Sequence, residues 1–490
     1  TGAFGAGSGR LWSRAVNMPL RPLSINAWLQ SAQWVGAAPA DALPALTRVH
    51  TDSRSIQSGD LFVALRGERF DANDFLADAK AQGAVAAIAQ GAAAAVRLTE
   101  AGLPGWVVPD TRLALGQIAR GWRAQFDLPL IGVTGSNGKT TVTQMIASVL
   151  RVWRGDAALA TQGNLNNDIG VPQTVLRLRA QHRVAVLELG MNHPGEIAQL
   201  AAVAQPTVAL VNNAQREHLE FMQTVAAVAQ ENGAVISALP SSGVAVFPAD
   251  DAFSAVWADL SAARRMLRFA ATAHPLADVF ATQTLWVDAA WQVSAATPQG
   301  TLNYRLHVAG AHNVKNSLAA LACCLSVGVP LDVIGQGLAA FEPVKGRSRA
   351  LLLRHAGRAI TLVDDSYNAN PDSVLAAIDV LAALPAPRLL VLGDMGEVGE
   401  QGVSFHAEAF SYAQARKIEN VLVTGVLASK AAMQMEGVVA FEEQQALQSA
   451  VLTTLPDVAS VLVKGSRFMK MERVVQAVLD AQTEERSVAC

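Results

Sequence analysis

The stretch Leu130-Ile-Gly-Val-Thr-Gly-Ser-Asn-Gly-Lys-Thr-Thr141 constrains the fold more than any other part of the chain. Ile131 and Val133 end an apolar strand, and Gly135, Ser136, Asn137 and Gly138 form a turn. From there Val142, Met145, Ile146, Val149 and Leu150 mark one face of a helix. N–H groups at a helix start lack intrahelical acceptors, and a missing Cβ lets the backbone close around an anion. In such a loop Lys139 reaches the β/γ-phosphates, Thr140 holds Mg²⁺, and residues 135–138 with Thr141 line the nucleotide. ATP and Mg²⁺ are therefore the expected ligands. The match is to the shorter Gly-x-x-Gly-Lys-Thr pattern, because Val133 occupies the first glycine position of the longer one. A capped turn is the bland alternative; strand, helix and Lys-Thr pair together favour nucleotide binding.

At 490 residues the chain is long enough for two to four domains with ample core. Apolar residues make up 51% and charged residues 16%, which excludes a disordered chain. A net charge of −3 gives no reason to expect nucleic acid or an anionic membrane as partner. Cys323 and Cys324 are adjacent and Cys490 is terminal, which is neither a disulfide framework nor metal spacing. A reducing cytoplasm fits. The most apolar stretch, Ser317 to Phe341, is broken by Gly328, Pro330, Asp332 and Gly335, and reads as core helix plus turn rather than a membrane span. Residues 1–17, ahead of Met18, are rich in glycine and small residues and read as an appended or mis-assigned leader.

Three α/β domains are expected. In residues 18–127, the run Gly59 to Gly67 reads as a strand between turns, and Phe75 to Gln82 as a helix capped by Gly83. Asp52-Ser53-Arg54 reads on its own as a polar turn. Residues 128–343 carry the phosphate loop on a parallel sheet. There Asn164, Asn166 and Asn167 lie on a surface loop, suited either to turns and caps or to phosphate and sugar hydroxyls. Glu188 ends the apolar strand Val184 to Leu189, where a bare carboxylate is unwelcome; near the loop lysine, metal binding is the better reading. Thr207 to Val211 is a further strand, and His218 follows just past its carboxyl end, where parallel sheets bind ligands; it reads equally as a structural histidine or as a ligand. Asn313 and Asn316, one turn apart, either read a purine or cap a helix.

Residues 344–490 alternate strands and helices, with strands at 359–363, 388–393, 421–425 and 461–465, so a Rossmann-like doubly wound sheet is expected. Asp365, Tyr367, Asn368, Asn370, Asp394 and Lys464-Gly-Ser-Arg467 fall at the carboxyl ends of these strands, where they would share one rim.

With these motifs in hand, the chain resembles the Mur ligases of peptidoglycan synthesis. The likeness rests on Thr134 to Thr141, Asp364 to Ser373, Gly393-Asp-Met-Gly-Glu397 and Lys464 to Arg467, and covers nearly all of 47–475. Within the family it is similar to the branch that adds D-alanyl-D-alanine. The resemblance implies an N-terminal UDP-sugar domain, a central ATPase and a C-terminal Rossmann-like domain that closes over the site. It implies an ATP-dependent ligase joining D-alanyl-D-alanine to UDP-N-acetylmuramoyl-tripeptide through an acyl phosphate, acting as a monomer in the cytoplasm. By the same resemblance Lys139, Glu188, His218 and Arg347 serve catalysis. Thr140, Glu188 and His218 hold metal, and Asn313, Asn316, Arg347 and Asp365 contact ATP. Asp52, Ser53, Arg54, Phe62, Arg66 and Gly67 hold the UDP-sugar end, with Asn164, Asn166 and Asn167 facing the substrate. Tyr367, Asn368, Asn370, Lys464, Ser466 and Arg467 complete the substrate site.

One departure stands out. Many members of the family carry a lysine, in the helix after the histidine, whose carbamate helps hold a second Mg²⁺. Here the matching position is Asn232, and no lysine occurs between Lys139 and Lys315. His218 and waters, with Glu231 or Asn232 nearby, are expected to complete that site. The rival readings are another amide ligase of the same loop type, such as a different Mur ligase or a folylpolyglutamate synthase, and a nucleotide-binding regulator without ligase activity. The Tyr367-Asn-Ala-Asn370 run argues against the first, and the polar rims of the outer domains against the second.

Overall fold

The computed structural model describes residues 20–67, 70–287, 290–355 and 358–488. The 1–17 segment and Cys490 lie outside these. Three sheets follow one another along the chain, of five, nine and six strands.

The central sheet is built on the strand Leu130–Thr134, which pairs in parallel with Val184–Glu188 on one side and Val208–Val211 on the other. All three strands are buried along their whole length. That follows from helices on both faces, which is why these strands read as unbroken apolar runs and not as alternation. One face is covered by the helices Lys139–Arg154, Ala311–Ser326 and Leu331–Ala339. The other is covered by Glu196–Ala204 and Val225–Ser237. The expectation of a parallel sheet holds from Ala158–Ala160 through to Val279–Val287. It fails at one edge, where Val279–Val287, Ala290–Thr297 and Gly300–Leu306 form an antiparallel meander. The edge strand Gly300–Leu306 alternates buried and exposed residues, because only one face meets the core.

The carboxyl-terminal sheet runs in the order 349–355, 358–365, 460–464, 388–393, 420–424, 438–441. Its first pair is antiparallel and the rest parallel, so the expected doubly wound sheet gains an antiparallel edge strand. The helix Pro371–Ala382 starts with a reciprocal capping box between Asn370 and Ser373. The apolar stretch after Ser317 is core helix and turn, and among the described residues no helix is long and apolar enough to cross a membrane.

The amino-terminal sheet keeps an apolar cluster of its own on one face and shares the core of the other with the central body. Its helix Thr111–Arg123 packs on the central helices Gly170–Val175 and Glu196–Ala204, and one apolar cluster runs from Leu20 to Trp257. Arg123, 4% exposed, closes this junction. Its guanidinium donates to the carbonyls of Ala204 at 3.0 Å, Leu128 at 3.1 Å and Gln205 at 3.3 Å, and also to Phe126. Removing it strands several carbonyls in a site closed to water. Arg123→Met is therefore expected to lower stability by about 3 kcal/mol, read as an earlier urea midpoint for the transition that reports the central domain.

Candidate active site

The phosphate loop is shaped by amides from neighbouring strand ends and helices. Gly135 N–H donates to Asn232 Oδ1 at 2.9 Å, Asn137 N–H to Asn213 Oδ1 at 2.8 Å, and Ser136 N–H to the Asn213 carbonyl at 3.2 Å. Three N–H groups that the sequence offered to phosphate are thus spent on holding the loop. The donors left are those of the first turn of the helix at Lys139, with the Lys139 and Thr140 side chains. Gly138 sits at φ +79°, and a Cβ there would lie 2.7 Å from Asn316 Oδ1. The glycine is thus required twice, by conformation and by space.

Asn313 and Asn316 are 2% and 7% exposed and form the floor of this loop. Asn316 donates to Asn313 Oδ1 at 2.9 Å, Asn313 to the Ala309 carbonyl at 2.7 Å, and Asn212 to Asn316 Oδ1 at 3.0 Å and the Asn137 carbonyl at 2.8 Å. Both asparagines lie inside the helix Ala311–Ser326 and not ahead of it.

Lys139 is folded back onto its own loop. Its Nζ donates to Gly135 O at 2.5 Å and Ser136 O at 3.0 Å, and pairs with Glu217 Oε1 at 2.8 Å. Burial acts to raise the Glu217 pKa, but Lys139 and His218 hold it below the ordinary value. His218 lies between Glu217, at 3.5 Å, and Glu397 of the carboxyl-terminal body, with φ at +50°. Burial acts to lower its pKa, yet hydrogen bonds to Glu217 and Glu397 carry it up to about 9. A protonated imidazole has no lone pair for a metal, so ligation here must displace a proton.

Glu188 is 2% exposed. Its Oε1 accepts from Thr140 Oγ1 at 3.1 Å and from Asn166 Nδ2 at 2.8 Å. Among the described residues no group of three or more His, Cys, Asp or Glu converges as a ready metal cage. Mg²⁺ does not need one, since it keeps several waters and takes one or two carboxylates with substrate phosphates. The buried carboxylate–hydroxyl pair of Glu188 and Thr140 fits that demand.

These groups open into a cleft of about 990 Å³ that also takes its wall from the carboxyl-terminal sheet. On that side Arg347 lies 4.2 Å over the Tyr367 ring and Arg467 lies 5.3 Å from it. Asp365 pairs with Lys464 at 2.6 Å, and Lys464 also donates to the Asn368 carbonyl. Asn370 exchanges amide hydrogen bonds with Asn137 of the phosphate loop, at 2.9 and 3.3 Å. Ser466 is buried and donates to the Asp394 carbonyl at 2.6 Å. Asp394 leaves the expected rim: its carboxylate accepts Leu427 N–H and Ala428 N–H at a helix start.

The cleft wall includes Asn164, Asn166 and Asn167, although Asn167 Oδ1 already caps the helix Gly170–Val175. It takes Arg112 from the amino-terminal part, but is not lined by Asp52, Ser53, Arg54, Arg66 or Gly67. Asp52 and Arg54 pair with each other at 2.8 Å on a surface turn. Gly67 N–H donates to Phe70 O, and Arg66 bridges to Asp71. Phe62 is a correction. Its side chain is 0% exposed in the strand Leu61–Val63, a core residue that no ligand can touch. The aromatic at the surface there is Phe70, 61% exposed and beside Gly67.

The expected helpers at the second metal site are also occupied. Glu231 accepts Gly195 N–H and Ile197 N–H at 2.9 Å each, and Asn232 Oδ1 holds Gly135. Sequence reasoning missed Arg216 and Glu217, and gave no site role to Glu397, which it named only as the end of the Gly393 to Glu397 motif. The signal for the first two was the charged run Arg216-Glu217-His218, a few residues past the strand Val208–Val211. Arg216 crosses to the carboxyl-terminal body, binding Asp372 at 2.8 Å and Glu408 at 2.7 Å.

Comparison with known proteins finds three family models along the chain. They are the Mur ligase family catalytic domain over residues 45–123, the Mur ligase middle domain over 133–324 and the Mur ligase glutamate ligase domain over 349–467. The UDP-N-acetylmuramoyl-tripeptide–D-alanyl-D-alanine ligase of Escherichia coli (strain K12) is 41% identical over 444 residues, spanning 89% of this chain and 95% of that protein. A crystal structure of MurF from Acinetobacter baumannii matches with a TM-score of 0.85 at 34% identity, over 95% of this chain and all of that one. MurF ligase from Thermotoga maritima in complex with ADP matches with a TM-score of 0.78 at 25% identity, over 89% and 98% of the two chains.

Arg216 makes ion pairs with two acids of the carboxyl-terminal body, Asp372 and Glu408. Arg216→Ala should weaken closure by about 2 kcal/mol, roughly thirtyfold in the closing equilibrium. Small-angle scattering of the ligand-free protein should then show a larger radius of gyration than wild type.

Proposed function

The chain belongs to the Mur ligase family, and on that premise we propose that its cleft joins D-alanyl-D-alanine to UDP-N-acetylmuramoyl-tripeptide at the expense of ATP. One observation carries the reading: phosphate-loop residues and the 365–373 run of the carboxyl-terminal sheet line a single cleft. A carboxylate resists attack by an amine until one of its oxygens becomes a leaving group. The tripeptide carboxylate attacks the γ-phosphorus, the bond to ADP breaks, and an acyl phosphate forms. The amine nitrogen of D-alanyl-D-alanine attacks the acyl carbon, the bond to the phosphate oxygen breaks, and the amine gives up a proton.

The protein positions and neutralises more than it reacts. Lys139 would leave Glu217 for the β/γ-phosphates. Glu188 and Thr140 would hold Mg²⁺, which when bound neutralises charge on the phosphate oxygens. Arg347 and Arg467, flanking Tyr367, present cations to the anionic partners. Asn370, paired with Asn137, ties the carboxyl-terminal wall to the loop and helps keep water from the acyl phosphate. The amino-terminal turn of Asp52 and Arg54, with Arg66 and Gly67, would hold the UDP-sugar end; Gln173 Nε2, donating to Thr51 Oγ1 at 2.7 Å, links that corner to the central body. The working unit in this reading is a monomer, and it works in the cytoplasm, where ATP and the UDP-linked precursor are found.

The test is ADP release with all three substrates, each then omitted in turn. Full release requires all three, and release unaffected by D-alanyl-D-alanine would overturn the assignment. Lys139→Ala should cut turnover about a thousandfold or more with an unchanged far-ultraviolet circular dichroism spectrum.

A further inference from the structure

Glu217 belongs to none of the motifs above. It is 7% exposed, on the loop that follows the strand Val208–Val211. Oε1 holds Lys139 at 2.8 Å and lies 3.5 Å from His218 Nε2. Oε2 is buried and has no hydrogen-bond partner among the described residues. A carboxylate in such a place is stable only while a cation stays with it. In this structure Lys139 holds it at 2.8 Å, with His218 Nε2 behind at 3.5 Å, and the remaining bonds of Lys139 go to Gly135 O and Ser136 O of its own loop.

This arrangement cannot persist once nucleotide is bound. Lys139 serves the phosphates only by leaving Glu217, which would leave a buried charge, one oxygen already unpaired, with His218 alone beside it. The cations that arrive with ATP are divalent. The other groups near this corner are committed: Asn232 Oδ1 to Gly135 N–H, and Glu231 to the N–H groups of Gly195 and Ile197. Glu397 reaches His218 from the far body, but its side chain is 45% exposed. Glu217 Oε2 is the buried anionic oxygen left uncommitted beside His218.

We propose that Glu217 is a ligand, with His218, of a second divalent cation that takes over from Lys139 as its counter-charge when nucleotide binds. An ordinary carboxylate thereby fills the anionic place that Asn232 cannot fill. Mg²⁺ accepts this donor set, completing its shell with waters and phosphate oxygen. The proposal rests on the nucleotide-binding reading of the cleft.

The experiment counts Mn²⁺ by electron paramagnetic resonance in the presence of the non-hydrolysable ATP analogue AMPPCP. Wild type is expected to bind two Mn²⁺ per chain. Glu217→Gln, which keeps shape and removes charge, should retain the first and weaken the second by about tenfold or more. Glu217→Asp should retain both, the second more weakly than wild type. A single Mn²⁺ on wild type with AMPPCP bound would overturn the proposal alone, whatever the variants do. Failure of AMPPCP to bind would remove the nucleotide reading as well. Two Mn²⁺ at wild-type affinity on Glu217→Gln would leave Glu217 as a resting partner for the lysine and overturn its role as a ligand. Nitrogen coupling to the second Mn²⁺ in pulsed spectra of wild type, lost in His218→Ala, is the expected sign that the two adjacent residues share the ion.

Discussion

Buried backbone groups need partners, and the phosphate loop meets that demand through asparagine side chains. Asn213 and Asn232 accept from loop N–H groups, while Asn212 donates to the loop carbonyl of Asn137 and to Asn316 beneath it. An amide both donates and accepts, so a short chain of amides satisfies donors and acceptors without introducing charge. The loop is therefore set before any phosphate arrives. What remains open to an anion is the helix start at Lys139 and the lysine itself. Glu188, Thr140 and Asn166 then meet at one point, because the strand that ends at Glu188 pairs beside Leu130–Thr134 and Thr140 opens the helix that follows the loop.

The same loop that shapes the phosphate site also joins two bodies. Asn213 and Gln215 hold the phosphate loop, Arg216 binds Asp372 and Glu408 across the cleft, Glu217 holds Lys139, and His218 meets Glu397. Consecutive residues thus face alternately toward nucleotide and toward the closing body. A change at Lys139 reaches the interface through adjacent side chains and needs no longer path. The amino-terminal part is joined differently, by continuous apolar packing and the buried Arg123, which makes it a firmer junction than the polar one opposite.

Sequence alone determined the elements whose information is local. A buried strand, a glycine turn and an amphipathic helix are written in consecutive residues, and the structure has them at Leu130–Thr134 and Lys139–Arg154. The strand ends of the third sheet were legible for the same reason, as were Glu188, from an acid on an apolar run, and the missing lysine near Asn232. Tertiary structure decided whatever depends on what lies opposite. Phe62 looks like any exposed ring until the sheet buries it, and Asp394 looks like a rim acid until a helix start claims both its oxygens. Glu217 reads as one more surface charge beside a histidine, because nothing in its neighbourhood along the chain shows that Lys139, 78 residues away, is its partner. Periodicity reports which face of an element is buried; it carries no record of which distant charge or amide completes a buried group, and that pairing is what makes these residues a site.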